Sequence, residues 1–248
     1  MEIILKAENL YKNGILNDVS LEVIKGEMVA VMGPSGSGKS TLLYNISGMD
    51  MPDKGRVILG GKELTELSED EKAELRLHDM GFVFQQMNMI ENLNIIDNIM
   101  LPAVQAYREK KGNKSGEKAL REKAVMLMEK MSVAGLENRK ITEVSGGQLQ
   151  RACICRSLMN NPKILFADEP TGALNKSASA EVMDTLVSLN KEGTTVFMVT
   201  HDSRMASRCG RILYLVDGSI QGELVIEKNL TAKQREDSVN EWLRKMEW

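Results

Sequence analysis

Apolar and polar positions alternate along the first third of the chain. EIILKAENL (residues 2–10) and VSLEV (19–23) both read as strands with one buried face. MVAVM (28–32) is apolar throughout, a short buried strand ending at a glycine, and Lys39 to Ile46 reads as a helix. GRVILGG (55–61) is a further strand between glycines. Ser68 with Glu71 forms a capping-box signature for a helix running to about Leu77, and GFVFQQ (81–86) is a strand that stops at polar residues.

From about Met87 to Asn161 the pattern changes to helices. EKALREKAVMLMEKM (117–131) sets Leu120, Ala124, Leu127, Met128 and Met131 on one face, with Gly135 as the C-terminal cap. YREKKGNKSGEK (107–118) is polar and reads as an exposed loop whose lysines form a solvated face. Apolar strands then return as KILFAD (163–168), TTVFMVT (194–200) and RILYLVDG (211–218), the first two joined by a helix from Lys176 to Asn190. Such alternation implies an α/β fold with a mainly parallel sheet covered by helices. In the tail, Thr231 and Gln234 make another capping box. Val239, Trp242, Leu243 and Met246 follow as the apolar stripe of a helix docked on its own domain.

Composition narrows the class. The 248 residues, 42% hydrophobic and 27% charged, suffice for one sizeable core. A net charge of −3 gives no bulk attraction for nucleic acid, so no nucleic-acid partner is expected. No apolar run reaches the ~18 residues of a membrane span, and the start is not that of a signal peptide, so any membrane link is expected through a partner. Three cysteines are too few for a disulfide framework; Cys153 and Cys155 are expected to pack rather than to ligate metal. The seventeen methionines are expected mainly in the core.

The chemistry lies in the connections. Gly33-Pro34-Ser35-Gly36-Ser37-Gly38-Lys39-Ser40-Thr41 fits G-x-x-x-x-G-K-[ST] between a strand and a helix. Its glycines let backbone N–H groups turn toward phosphate oxygens, and the helix directs its positive end at the same anion. Lys39 supplies a charge for the β- and γ-phosphates of ATP, and Ser40 a hydroxyl for Mg²⁺. At the end of the KILFAD strand, Asp168 suits Mg²⁺ through water, while Glu169 faces the other way, to accept a proton from the attacking water or to orient it. Ser145-Gly146-Gly147 opens a helix with no strand leading in and offers a second anion-binding N-terminus. A single nucleotide rarely needs both sites, but a head-to-tail dimer does.

In this order the motifs resemble those of the ATP-binding-cassette (ABC) ATPases, over about Ile3 to Val225. VSGGQ resembles their signature motif, with Val144 in place of the usual leucine and Ser145, Gly146, Gly147 and Gln148 facing the partner's nucleotide. FVFQQ resembles the Q-loop, in which Gln85 touches the metal or water and senses the membrane partner. VTHD resembles the switch region, with His201 near the γ-phosphate; Tyr11 resembles the aromatic that stacks on adenine; GALN resembles the D-loop, with asparagine at 175 where aspartate is usual. The resemblance implies a P-loop NTPase core with an antiparallel β subdomain and an inserted helical subdomain at about 87–161. It divides the chain into an ATPase domain (1–230) and a C-terminal helix (231–248). It further implies ATP and Mg²⁺ as cofactors, a second copy and a membrane permease as partners, and a cytoplasmic place on the inner membrane face. The DEPTGALN segment and the tail REDSVNEWLRKMEW look most like bacitracin- and lantibiotic-resistance ATPases, within a branch that also serves macrolide and lipoprotein-release transporters. ABC ATPases acting on DNA carry long coiled coils between P-loop and signature; here about a hundred residues without sustained heptads intervene, and translation-type members carry two cassettes where this chain has one.

Overall fold

The computed structural model describes residues 2–109 and 114–246, with the side chains of 109, 114 and 115 excepted. Its strands are β1 (Ile3–Lys12), β2 (Leu16–Ile24), β3 (Met28–Met32), β4 (Lys54–Leu59), β5 (Lys62–Glu63), β6 (Met80–Phe84), β7 (Ile164–Asp168), β8 (Thr195–Val199), β9 (Arg211–Val216) and β10 (Ser219–Val225). The helices are α1 (Lys39–Ile46), α2 (Glu69–Asp79), α3 (Ile95–Glu109), α4 (Lys114–Lys130), α5 (Gly146–Leu158), α6 (Lys176–Lys191), α7 (Ser203–Ala206) and α8 (Ala232–Lys245).

Two sheets form. The alternating strands near the N-terminus make an antiparallel sheet in the order β2-β1-β4-β5. The apolar strands make a six-stranded sheet, β10-β9-β3-β8-β7-β6, parallel except where β10 folds back on β9. Its register aligns the strand ends: Val31 faces Val199, Val199 faces Asp168, and Asp168 faces Phe84. The Gly33–Thr41 loop, Gln85, Asp168–Glu169 and His201 therefore all leave the carboxyl edge of one sheet, where ligands of open α/β sheets bind.

Successive side chains of the buried strands enter different cores. Val29, Val31, Ile164 and Phe166 join α1 and the antiparallel sheet, while Ala30, Met32, Leu165 and Ala167 pack with α3, α4, α5, α6 and α8. Many methionines fill this second core, among them Met32, Met128, Met131, Met183 and Met198. The tail helix docks as its pattern predicts: Val239 and Leu243 are buried, Trp242 meets Tyr214 edge-on, and the Thr231–Gln234 capping box is formed. Among the described residues no helix is long and apolar enough to cross a membrane.

Two local expectations fail. The polar stretch 107–118 is not simply a loop: α3 runs to Glu109 and α4 starts at Lys114, while 110–113 lie outside the described residues. Arg, Glu and Lys are good helix formers, so polarity alone does not end a helix. The Tyr107 ring also lies over Gly116, where a Cβ would come within 2.0 Å of it. Nor does Gly135 cap α4. Ser132 takes the left-handed position (φ 55°), its N–H donates to Glu129 O, and the Val133 N–H donates to Met128 O. This Schellman closure lets Val133 turn inward to 1% exposure.

Candidate active site

The Gly33–Thr41 loop links β3 to α1. Gly38 is the N-cap of α1 at φ 99°, a left-handed position that favours glycine, and no side chain caps the helix there. The first N–H groups of α1 thus face the cleft as donors for an anion. Lys39 is 8% exposed, and its ammonium donates to Gly33 O (2.8 Å) and Pro34 O (2.7 Å). Burial pushes its pKa down, while the carboxylates of Glu169 and Asp168 pull it back up.

β7 delivers the acid pair, and the chain turns sharply between its members. Asp168 is 9% exposed and lies against α1: Oδ1 accepts from the Ser40 hydroxyl (3.0 Å) and Oδ2 from the Tyr44 hydroxyl (3.0 Å). Burial and then the neighbouring Asp168 raise the Tyr44 phenol pKa. Glu169 adopts φ 46°, costly for a residue other than glycine, and its N–H is held by Val199 O (3.0 Å). That turn sends its carboxylate away from Asp168, to 3.2 Å from His201 Nδ1. Gly172 is fitted beneath this group: a Cβ there would lie 2.9 Å from Gln85 Nε2 and 3.2 Å from Glu169 Oε2, so Gln85 and Glu169 converge on it.

A cleft of about 970 Å³ runs between loop and acid, lined by Gly33, Pro34, Ser35, Gly36, Gly38, Lys39, Ser40, Thr41, Glu169 and His201. Ile15 and Tyr214 complete the lining. Ser37 stands behind the loop, its carbonyl accepting from Gly218 N–H, its hydroxyl buried without a partner. Tyr11 is outside the lining, 39% exposed on β1. The Ser40 hydroxyl and Asp168 carboxylate are hard oxygen donors of the kind Mg²⁺ takes with phosphate oxygens and water. Among the described residues no group of three His, Cys, Asp or Glu could hold a metal unaided. Burial pushes the thiols up, Cys153 to about 11 and Cys155 and Cys209 to about 12, so none is poised as a thiolate ligand.

The remaining predicted residues lie elsewhere on the chain. Ser145 caps α5: its Oγ accepts from Gln148 N–H (3.3 Å), and Gln148 Oε1 accepts from Ser145 N–H (2.9 Å). Gly147 lets α5 approach α6, since a Cβ would stand 2.8 Å from that of Ala178. Asn175 caps α6, its Oδ1 accepting from Ala178 N–H at 2.9 Å. None of Ser145, Gly146, Gly147, Gln148 and Asn175 lines the cleft of its own chain. From α5, Gln150 donates to Phe84 O, Cys153 to Met87 O, and Arg156 to Met87 O and Asn88 O. The segment around Gln85 is thereby tied to the helix that Ser145 opens. Sequence reasoning missed Ile15, Tyr44, Gly172 and Tyr214. Only Tyr44 carried a signal, lying one helical turn beyond Ser40.

The ABC transporter family model matches residues 16–172. The chain is 41% identical over 86% of its length to the macrolide export ATP-binding/permease protein MacB of Bdellovibrio bacteriovorus, of which it covers 31%. It thus spans about a third of the length of the MacB relatives it matches. The lipoprotein-releasing system ATP-binding protein LolD of Aquifex aeolicus is 40% identical over 90% of this chain and 99% of its own. Among solved structures, the dimeric post-hydrolysis state of the ATP-binding cassette MJ0796 with ADP and Pi, from Methanocaldococcus jannaschii, superposes with a TM-score of 0.81. That cassette is 39% identical, with 90% of this chain and 99% of that one covered. The chain belongs to the ABC transporter family, and the Gly33–Thr41 loop and Glu169 on either side of the cleft both lie within the matched residues.

Proposed function

We propose that this chain hydrolyses ATP as a pair of copies closing head to tail around two Mg·ATP, and that closure drives a separate membrane permease handling antimicrobial peptides. The observation that carries the ATPase reading is a single cleft combining the uncapped N-terminus of α1, Lys39 and the Glu169–His201 pair. Lys39 and the α1 amides hold the phosphates, and the Glu169 carboxylate takes the proton of the attacking water as the γ-phosphoryl leaves ADP. His201 steadies Glu169 and the transferred group. Ser40 and Asp168 would hold Mg²⁺, which when bound neutralises the β- and γ-oxygens. Tyr11, outside the lining, would meet adenine only where the nucleotide extends past the cleft.

Ser145 to Gln148 and Asn175, lying outside their own cleft, would complete the site of the second copy; the dimeric MJ0796 cassette supports this reading. The helical subdomain at about 87–161 would receive the permease. An apolar groove of about 670 Å³ between β6, α2, α3 and α5 supports this, lined by Phe82, Leu101 and Val104 together with Arg76, Arg108 and Arg156. It suits an amphipathic permease helix, and the bonds from α5 to Met87 and Asn88 would pass its motion to Ser145. The C-terminal unit at 231–248 would be set by α8 (Ala232–Lys245), and the pair would sit on the cytoplasmic face of the membrane.

The peptide substrate is supported by the D-loop asparagine and the tail sequence, whereas relatives named for macrolide export and lipoprotein release support the sister reading. The test is turnover of the chain co-purified with its permease in lipid nanodiscs. Stimulation by bacitracin or a lantibiotic is expected. Stimulation by a macrolide or a lipoprotein alone would replace the peptide reading. Failure to co-purify, with turnover raised by DNA or ribosomes, would replace transport altogether.

A further inference from the structure

Asp168 is bound on both oxygens from one face of one helix. Ser40 and Tyr44 are one turn apart on α1, and their hydroxyls reach Oδ1 and Oδ2 of the same carboxylate, each at 3.0 Å. The Tyr44 ring is not a free surface group: it packs against the buried cluster beneath the antiparallel sheet. The turn after α1 is secured as well, since Tyr44 O accepts from the Ser47 hydroxyl and from the N–H groups of Met49 and Asp50. A carboxylate held at one oxygen can still swing about its last bond; held at both, it cannot.

We infer that Tyr44 is a positioning residue for the metal site, fixing the plane of the Asp168 carboxylate so that Oδ1 stays directed at Ser40. The inference rests on the proposed assignment of Ser40 and Asp168 to Mg²⁺. Ser40 would turn its oxygen toward the ion on binding. Tyr44 is then the donor whose grip on Asp168 does not depend on the metal, because its hydroxyl meets the other oxygen. Phenylalanine keeps the ring and its packing and removes only the hydroxyl, so beyond the small stability cost of one hydrogen bond its effect should appear in metal dependence rather than in metal-free nucleotide binding.

The experiment is a fluorescence titration of the full chain with mant-ATP, in EDTA and across a Mg²⁺ series, for wild type, Tyr44→Phe and Asp168→Asn. In Tyr44→Phe the Mg²⁺ concentration giving half of the metal-dependent tightening is expected to rise about three- to tenfold, the scale of one charge-assisted hydrogen bond at a partly exposed site. Affinity in EDTA should stay at the wild-type value, the nucleotide-free melting temperature should fall by no more than a few degrees through the loss of one hydrogen bond, and kcat should recover at saturating Mg²⁺. An unmoved Mg²⁺ midpoint overturns the inference, as does an equal loss of affinity in EDTA. Asp168→Asn separates the two layers of the argument. If wild type tightens with Mg²⁺ and Asp168→Asn does not, an unmoved Tyr44→Phe midpoint removes the role of Tyr44 alone. If wild type shows no Mg²⁺-dependent tightening, the metal assignment falls and takes this inference with it.

Discussion

On the proposed mechanism, Glu169→Gln should separate binding from hydrolysis in this chain. The substitution keeps side-chain length and a carbonyl oxygen that can remain near His201 Nδ1, now 3.2 Å from the carboxylate. It also leaves the cradle intact, because Lys39 is held by Gly33 O and Pro34 O rather than by Glu169. Glu169 does act on Lys39 through space, raising its pKa against the lowering by burial. Losing that charge weakens only one of the influences that keep the ammonium protonated, since Asp168 remains. Nucleotide affinity should therefore change by no more than about threefold, roughly 0.7 kcal/mol. Hydrolysis would lose its proposed proton acceptor. A positioned base contributes about a hundredfold to ten-thousandfold, equivalent to about 2.7–5.4 kcal/mol in the barrier. With binding kept and turnover blocked, ATP should accumulate in the closed pair. The assay combines phosphate release, equilibrium mant-ATP binding and size-exclusion chromatography with Mg·ATP. Turnover within threefold of wild type would remove Glu169 as the base. A loss of nucleotide affinity comparable to the loss of kcat would show instead that the carboxylate supports the cradle.

Other consequences are checked more simply. Lys39→Ala removes the ammonium from the loop and should weaken ATP binding several-fold or more by fluorescence titration; unchanged affinity would contradict the cradle. Asn175→Ala should cost about 1 kcal/mol of unfolding free energy through loss of the α6 cap, whereas Asn175→Asp should cost less than about 0.5 kcal/mol because aspartate caps equally well. With stability so preserved, Asn175→Asp is expected to change turnover and the Hill coefficient for ATP; identical values would leave Asn175 as a cap alone. The three buried thiols have folded pKa values of about 11 to 12, above the 9.0 of a free thiol. Their stabilisation is complete below pH 9.0 and is lost as pH rises toward the folded values, because the folded chain then holds protons that the unfolded chain releases. Urea midpoints should thus fall above pH 9.0 and fall less steeply in a Cys153→Ala, Cys155→Ala, Cys209→Ala variant, equal slopes refuting the argument.

What the sequence disclosed and what it withheld follow from the range of the interactions involved. The strand ends at Met32, Phe84, Asp168 and Val199 were legible because each short apolar run stops where a polar motif begins, and parallel pairing brings such ends to one edge. Capping boxes at Ser68, Ser145 and Thr231 are equally local; the Ser68 and Thr231 boxes were read correctly from a hydroxyl and a Glu or Gln three residues on. Asn175 caps α6 without a box, because Ala178 stands three residues on; asparagine is a preferred N-cap residue, but its place in the GALN motif suggested a different part for its side chain. Where the helix around Tyr107 stops, and which residue closes α4, turned on packing against Gly116 and on the burial of Val133, which no local pattern encodes. The Tyr44–Asp168 bond is the extreme case, joining residues 124 apart. Two hydroxyls one turn apart on a helix announce a polar face, but their common acceptor is set by the sheet order. α1 leaves β3, lies across β8 and reaches the end of β7, the strand beyond it. The residues of the proposed metal site are therefore local motifs, while the constraint on their geometry is a property of the topology.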